Sequence, residues 1–194
     1  MADPAAEFVF GYGSLAGWLA AGISRAASAR GFVTDVVGAR RTWGVAMDNR
    51  RDLPGYKYYT GPDGTRPEVF VAFLDLRCAG DAGARVNGVC VPVDDEDLVM
   101  LDRRERNYRR IDITHRVAAS RPGAARIWAY AGSASARERF RQGHTTGAAV
   151  VDANYVRGVH AAFARLGESE RRACAPSLET GDLPVVSLQR HDLP

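Results

Sequence analysis

The sequence has few of the residues and patterns that mark several classes of protein. Its cysteines, Cys78, Cys90 and Cys174, are odd in number and widely spaced, which argues against a disulfide framework and favours a reducing cytoplasm. The four histidines show no metal-ligand spacing with one another or with the cysteines. No stretch approaches the roughly 18 apolar residues of a membrane span. Residues 1–7 have neither a basic start nor a long apolar run, so no signal peptide is expected.

Lysine is nearly absent, since Lys57 is the only lysine among 26 basic residues. The formal net charge of +3 therefore comes mostly from arginine, and charges of both signs are interleaved. This balance is too mild to indicate a nucleic-acid partner. The length of 194 residues and the hydrophobic fraction of 46% predict a globular protein. We place one domain at residues 1–166, followed by a C-terminal helical turn and extended arm at residues 167–194.

The order of predicted elements indicates an α+β fold. Strands dominate the middle of the chain and helices cluster late, which favours a mainly antiparallel or mixed sheet. Residues 110–117 alternate strictly between apolar and polar positions, and this pattern predicts a half-buried antiparallel strand. Asp94 and Asp152 each precede a helical segment and are predicted to be its N-cap.

The most informative segment is residues 8–15, where a short apolar run ends in a turn that contains Gly11 and Gly13. The glycines allow the backbone to bend tightly and to approach a ligand closely. N–H groups without sheet partners at this turn would form a concavity suited to a carboxylate or a developing oxyanion. The alternative is an ordinary glycine-rich turn between a strand and a loop.

A glutamate lies on the apolar face of the helix that is predicted to follow Asp94. At about 100° per residue, Leu98, Leu101 and Tyr108 fall within one arc of that helix, and Glu105 lies inside it. Partial burial would raise the pKa of Glu105, and the negative end of the helix dipole acts in the same direction. A general base at neutral pH needs such a raised pKa. The alternative is that the helix frays before Glu105, which leaves the carboxylate solvated and paired with an arginine.

These two segments together resemble the gamma-glutamylcyclotransferase superfamily. Residues 9–15 (VFGYGSL) look like its N-terminal signature. Residues 101–105 (LDRRE), followed by Tyr108 and an alternating strand, are similar to the second motif, which carries the catalytic glutamate. Residues 128–130 and 154–156 resemble positions where tyrosines line the pocket. The resemblance covers roughly residues 8–166.

The resemblance implies a compact mixed β-barrel with flanking helices, and an enzyme that needs no cofactor and no metal. The implied reaction is cyclisation of a γ-glutamyl group to 5-oxoproline with release of a free amine, and Glu105 is the implied catalytic acid and base. The substrate-binding residues that it implies are Tyr12, Gly13, Ser14, Leu15, Tyr130 and Tyr155. The expected partner is a small γ-glutamyl compound, with no nucleic acid and no membrane, and a homodimer is one option for the assembly.

In one competing interpretation, the protein has the same fold but no catalytic activity. The segment at residues 50–85 looks longer than the usual connection in the family, and its Tyr56, Tyr58 and Tyr59 would reshape or obstruct the site. The protein would then be a non-catalytic module that binds a γ-glutamyl group or a carboxylate, with Glu105 as a structural residue.

A second competing interpretation is a dinucleotide-binding domain. Gly11, Gly13 and Gly17, with Asp35 further along the chain, mimic the glycine-rich nucleotide fingerprint. Two features argue against it, because Asp35 lies inside an apolar strand and the later sequence lacks a repeated βαβ pattern.

Overall fold

The computed structural model describes residues 6–21, 31–78, 83–118 and 124–194, and within them it has eleven strands and five helices. The strands are β1 (Ala6–Gly11), β2 (Phe32–Val37), β3 (Arg40–Asp48), β4 (Lys57–Thr60), β5 (Phe70–Arg77), β6 (Arg85–Val93), β7 (Tyr108–Asp112), β8 (Ala124–Gly132), β9 (Ala149–Asp152), β10 (Val185–Val186) and β11 (Gln189–Asp192). The helices are α1 (Ser14–Ala21), α2 (Asp95–Arg104), α3 (Ala134–Thr145), α4 (Ala153–Leu166) and α5 (Glu168–Cys174), with 3₁₀ turns at Thr114–Arg116 and Ala175–Leu178. The alanine-rich composition of residues 16–29 predicts a short helix that is interrupted near Gly22, and residues 22–29 lie outside the described residues.

The strands form three sheets with both parallel and antiparallel pairs, so the predicted α+β class is confirmed. The largest sheet has the order β2-β6-β1-β8-β7, and the second has the order β10-β9-β5-β3. Strands β4 and β11 form a separate antiparallel pair. The central strand β1 runs antiparallel to β6 and parallel to β8, while β9 runs parallel to β5 and β10.

The predicted barrel is wrong, because none of these sheets closes on itself among the described strands. The strand predicted over residues 110–117 ends at Asp112, whose carboxylate accepts hydrogen bonds from the backbone N–H (2.9 Å) and hydroxyl (2.6 Å) of Thr114. This side-chain turn starts the 3₁₀ turn. Up to residue 118, the described chain meets β2 through an isolated bridge between Val36 and Val117, and this bridge is not part of a ladder.

Helices α1 and α4 pack together beside the largest sheet. Gly17 of α1 faces Ala162 of α4, and a Cβ at residue 17 would lie 3.0 Å from the Ala162 Cβ. The main core contains the fully buried Phe10 of β1, Leu19 of α1 and Phe163 of α4. This packing fixes α1, and with it the turn that precedes α1, against β1.

A buried carboxylate connects the two larger sheets. Asp75 of β5 has no exposed side-chain surface, and it accepts a hydrogen bond from the Gly132 backbone N–H of β8 at 2.7 Å. Its two oxygens also accept from the Arg137 guanidinium of α3 at 2.7 and 3.1 Å. One side chain therefore joins β5, β8 and α3.

The C-terminal residues pack against the rest of the fold. Strand β11 pairs with β4, and beyond it the Leu193 N–H donates to the Tyr56 carbonyl at 2.6 Å. Leu188, just before β11, is buried. In the parts of the chain that the structure describes, no helix is long and apolar enough to cross a membrane.

Candidate active site

The glycine-rich turn joins β1 to α1 within two residues. A Cβ at Gly11 would lie 2.7 Å from the Ala16 backbone nitrogen, so only glycine allows the chain to fold back this closely. The Gly13 carbonyl accepts from the Ala16 N–H at 3.0 Å and closes the turn. Because the first N–H groups of a helix have no partner within the helix, the start of α1 presents backbone donors at this turn.

Glu105 is positioned by the end of α2. The Asp94 carboxylate caps the helix at its start, and the helix ends at Arg104, four residues before Tyr108, to which it was predicted to extend. Glu105 is the C-cap and its N–H still donates to the Leu101 carbonyl at 2.8 Å, so it stays in phase with the buried face of α2. Tyr108 was predicted on the helix, and this is wrong, because the chain turns after Glu105 and Tyr108 begins β7.

The Glu105 carboxylate lies away from bulk water. Only 14% of its side-chain surface is exposed, so the fully solvated alternative does not hold, although the expected arginine contact is present at 3.3 Å from Arg104 Nε. Burial raises the pKa of Glu105, and the opposing charges of Arg104, Lys57 and Arg190 reduce the rise without cancelling it. A carboxyl group with a raised pKa can both accept and return a proton near neutral pH.

All seven residues that the sequence nominates border one small cavity of about 20 Å³. They are Tyr12, Gly13, Ser14, Leu15, Glu105, Tyr130 and Tyr155, and Leu74 and Tyr108 complete the lining. The structure therefore places the turn and the glutamate at the same site. The roles of these residues stay predictions.

Tyr155 contacts the turn directly. Its hydroxyl accepts a hydrogen bond from the Leu74 N–H at 3.4 Å. Burial raises the pKa of Tyr155 to about 12, and hydrogen bonds with Leu74 and Ser14 work against that rise. The phenol therefore stays protonated at neutral pH and offers a hydrogen-bond donor beside the start of α1.

Tyr12 and Tyr130 form a chain of hydrogen bonds behind the turn. The Tyr12 hydroxyl donates to the Tyr130 carbonyl at 2.6 Å, and the Tyr130 hydroxyl donates to Asp102 Oδ1 at 2.6 Å. Asp102 also forms an ion pair with Arg110 at 3.3 Å. Asp102 therefore orients Tyr130.

The small cavity adjoins a larger chamber of about 580 Å³, and both are bordered by Ser14, Glu105, Tyr108 and Tyr155. Strand β4 and the C-terminal arm supply part of the chamber wall. The residues they contribute include Tyr56, Lys57, Tyr59, Arg190 and Asp192. The segment expected to obstruct the site thus forms one of its walls.

Sequence reasoning missed Lys57, Arg190 and Asp192. A signal existed for the first of these, since the only lysine lies between tyrosines in a segment already expected to reshape the pocket. Tyr58 is not part of the chamber lining, because alternate residues of a strand face opposite sides, and it stacks on His191 at 4.9 Å instead. Among the described residues, no group of three or more His, Cys, Asp or Glu side chains is placed to hold a metal ion.

A comparison with known protein families shows which family the chain belongs to. A family model described as gamma-glutamyl cyclotransferase, AIG2-like, matches residues 9–147. The chain belongs to this family. The match contains both the β1–α1 turn and Glu105, and it confirms the predicted resemblance. A comparison with curated proteins found none that matches.

Solved structures resemble this member of the gamma-glutamyl cyclotransferase family in fold. YkqA from Bacillus subtilis has a TM-score of 0.54 and 15% identity, over 93% of this chain and 56% of that one. The chain thus spans little more than half the length of YkqA. A structure described as gamma-glutamyl cyclotransferase has a TM-score of 0.40 and 13% identity, over 73% of this chain and 79% of that one.

Proposed function

We propose that the protein is an enzyme that converts a γ-glutamyl compound into 5-oxoproline and a free amine, with Glu105 as the proton-transfer residue. One observation carries the proposal: a mostly buried carboxylate and the glycine-rich turn that precedes α1 border the same cavity. Membership of the gamma-glutamyl cyclotransferase family supports the reaction class.

The turn is suited to the α-carboxylate of the γ-glutamyl group. Backbone N–H groups of residues 13–15 lie at the start of α1, where the helix dipole also favours a negative charge. The protonated hydroxyl of Tyr155 adds a side-chain donor at the same place. These donors hold the carboxylate, and they also stabilise the oxyanion that forms at the γ-carbonyl.

Glu105 then transfers one proton twice. Its carboxylate accepts a proton from the α-ammonium group, and the freed amine attacks the γ-carbonyl carbon to close a five-membered ring. The protonated Glu105 next donates that proton to the departing nitrogen as the original amide C–N bond breaks. The ring nitrogen, which still carries a second proton, passes it to the released amine, so the products are the neutral lactam of 5-oxoproline and an ammonium ion. The nucleophile and the carbonyl belong to the same molecule, so the site's main task is to hold a ring-closing conformer.

The proposal is tested with a panel of γ-glutamyl amino acids, peptides and amines. We expect 5-oxoproline to be detected by mass spectrometry for at least one class of compound, in a stoichiometric ratio with the released amine. Binding of these compounds by calorimetry without any product would instead establish the non-catalytic binding module.

A methyl group added at Gly13 is expected to weaken substrate binding. Its Cβ would lie 3.3 Å from the Tyr155 hydroxyl and 3.5 Å from Leu74 Cδ1, at the narrow end of the site. For Gly13→Ala we expect kcat/KM to fall about tenfold, because losing one hydrogen bond to a charged group costs about 1.5 kcal/mol.

The matched control is Gly158→Ala in α4, where no atom lies within 4 Å of the added Cβ. Activity should stay at the wild-type value, and the helix should gain about 0.5–1 kcal/mol of stability. Equal losses of activity in both variants would contradict a specific role for the turn.

Arg104→Met is expected to move the pH dependence of the reaction. Glu105 must be ionised to accept a proton, so kcat/KM falls as the pH drops through its pKa. The Arg104 charge favours the carboxylate form and lowers the pKa of Glu105. Removing that charge should shift the acid limb of the pH–kcat/KM profile to higher pH. If the acid limb stayed at the same pH or moved to lower pH, Glu105 would not be the group that controls it.

A further inference from the structure

Lys57 occupies an unusual position in the wall of the larger chamber. It lies on β4, and its Nζ is 4.5 Å from the centre of the Phe73 ring, 5.4 Å from that of Tyr56 and 5.8 Å from that of Tyr59. Three aromatic faces thus surround one ammonium group. Such contacts stabilise a cation that has lost part of its hydration.

Lys57 differs from the neighbouring cations of the chamber in its pairing. Arg104 contacts Glu105 at 3.3 Å, and Arg190 contacts Asp192 at 2.8 and 2.5 Å. Lys57 is in no direct ion pair among the described residues, and the negative charges of Glu105 and Asp192 favour its ammonium form without contacting it. A partly buried ammonium group without a directly paired carboxylate is less well stabilised than a paired one, and aromatic contacts compensate for this only in part. The ammonium group of Lys57 lines the chamber and is therefore available to an anion that enters it.

The position of the Lys57 ammonium relative to the turn indicates which anion it would bind. If the γ-glutamyl carboxylate occupies the turn and Glu105 faces the reacting nitrogen, the departing amine extends into the chamber, because Glu105 borders both spaces. The ammonium of Lys57 lines that chamber and not the small cavity.

We propose that Lys57 binds a carboxylate carried by the departing amine, so that the protein prefers γ-glutamyl amino acids or peptides over γ-glutamyl derivatives of simple amines. This inference rests on the proposed function. It assigns Lys57 as a binding residue that determines specificity, through a charge-assisted hydrogen bond. A role for Lys57 only in adjusting the charge state of Glu105 is the competing explanation, and it predicts no dependence on that carboxylate.

The test uses two compounds that differ by this one group, γ-glutamylalanine and γ-glutamylethylamide. Their affinities are measured by calorimetry on Glu105→Gln, which is not expected to turn them over. We expect γ-glutamylalanine to bind about 10–100 times more tightly. Adding Lys57→Met, which has a similar length and no charge, should bring the ratio close to one. Arg190→Met removes a cation that is already paired, and it should keep most of the preference.

A second measurement does not depend on whether the Lys57 variants fold. Because Lys57 is the only lysine of the sequence, an amine-reactive ester can label just this side chain and the N-terminus. Labelling of folded Glu105→Gln is followed by mass spectrometry of the peptide that contains residue 57. We expect γ-glutamylalanine to protect Lys57 at concentrations where γ-glutamylethylamide does not.

The outcomes separate this inference from the proposed function. Equal affinities of the two compounds, equal protection, or a preference that survives Lys57→Met would overturn the role of Lys57, even if the wild-type protein releases 5-oxoproline. A preference that disappears with Lys57→Met, combined with no turnover by the wild type, would support the carboxylate subsite and overturn the proposed reaction. Failure of both compounds to bind would overturn the role of Lys57, while release of 5-oxoproline from another compound of the panel would still support the proposed function.

Discussion

Glu105→Gln is expected to lower the rate of 5-oxoproline release by about 10²–10⁴-fold, the usual contribution of a general acid–base residue. Glutamine has the size of glutamate and can fill the same niche at the end of α2, but it cannot accept the α-ammonium proton. The substrate amine then stays protonated and cannot attack the γ-carbonyl. The measurement is the kcat for 5-oxoproline formation from the best compound of the panel.

The matched control is Glu96→Gln, on an exposed position of the first turn of the same helix. It removes the same charge from α2 and should leave kcat unchanged. Circular dichroism and the thermal unfolding midpoint show whether each variant keeps the fold, which matters because Glu105 offsets the nearby charges of Arg104 and Lys57. A folded Glu105→Gln with wild-type kcat would remove the central residue of the mechanism.

Asp75→Ala is expected to lower the free energy of unfolding by about 3 kcal/mol, the lower end of the range for breaking a buried ion pair. The substitution leaves the Gly132 N–H without its partner and separates Arg137 from its counter-charge. It also removes the side chain that joins β5, β8 and α3. Urea unfolding followed by circular dichroism measures the difference.

A second ion pair on α3 provides the control for this result. Arg141 and Glu138 are both largely exposed, and exposed pairs contribute little to stability because water screens them. Glu138→Ala should therefore leave the urea midpoint nearly unchanged. If Asp75→Ala also left the urea midpoint nearly unchanged, the buried carboxylate would not be the link between the two sheets.

The turn and the glutamate could be predicted because both depend on local chemistry. Gly11 and Gly13 show where the backbone bends, whatever the sheets do. The apolar spacing of Leu98 and Leu101 identifies the buried face of α2, and Glu105 keeps that phase even though the helix ends one residue before it. An error of a few residues at the helix end therefore left the position of the carboxylate correct.

The barrel was implied by the family resemblance, whereas the strand over residues 110–117 was predicted from its alternation. Residues 110–117 alternate as a strand does, but the Asp112 carboxylate bonds to Thr114 and turns the chain. The hydrogen bonds from Thr114 to the Asp112 side chain thus replace further pairing of the strand. The sequence does contain a signal for this turn, because an Asp followed two residues later by a Thr favours it. The strand prediction for residues 110–117 relied on the alternation of apolar and polar residues and did not use this signal.

Lys57 and the C-terminal arm could not be placed from sequence because their positions depend on contacts between distant residues. Strand β4 pairs with β11, and the Thr60 hydroxyl lies 2.8 Å from His191 across 131 positions of the chain. The local sequence of neither short strand predicts which other strand it pairs with. The chamber wall, and with it the carboxylate subsite, therefore became visible only in the folded structure.

The most direct test of the proposed mechanism is a crystal structure of Glu105→Gln with intact γ-glutamylalanine. We predict that the α-carboxylate accepts hydrogen bonds from backbone nitrogens of residues 13–15 at about 2.7–3.2 Å, and that the α-amino nitrogen lies within the same distance of the residue 105 side chain. A γ-glutamyl group bound away from the turn, or with its amine directed away from residue 105, would contradict the mechanism.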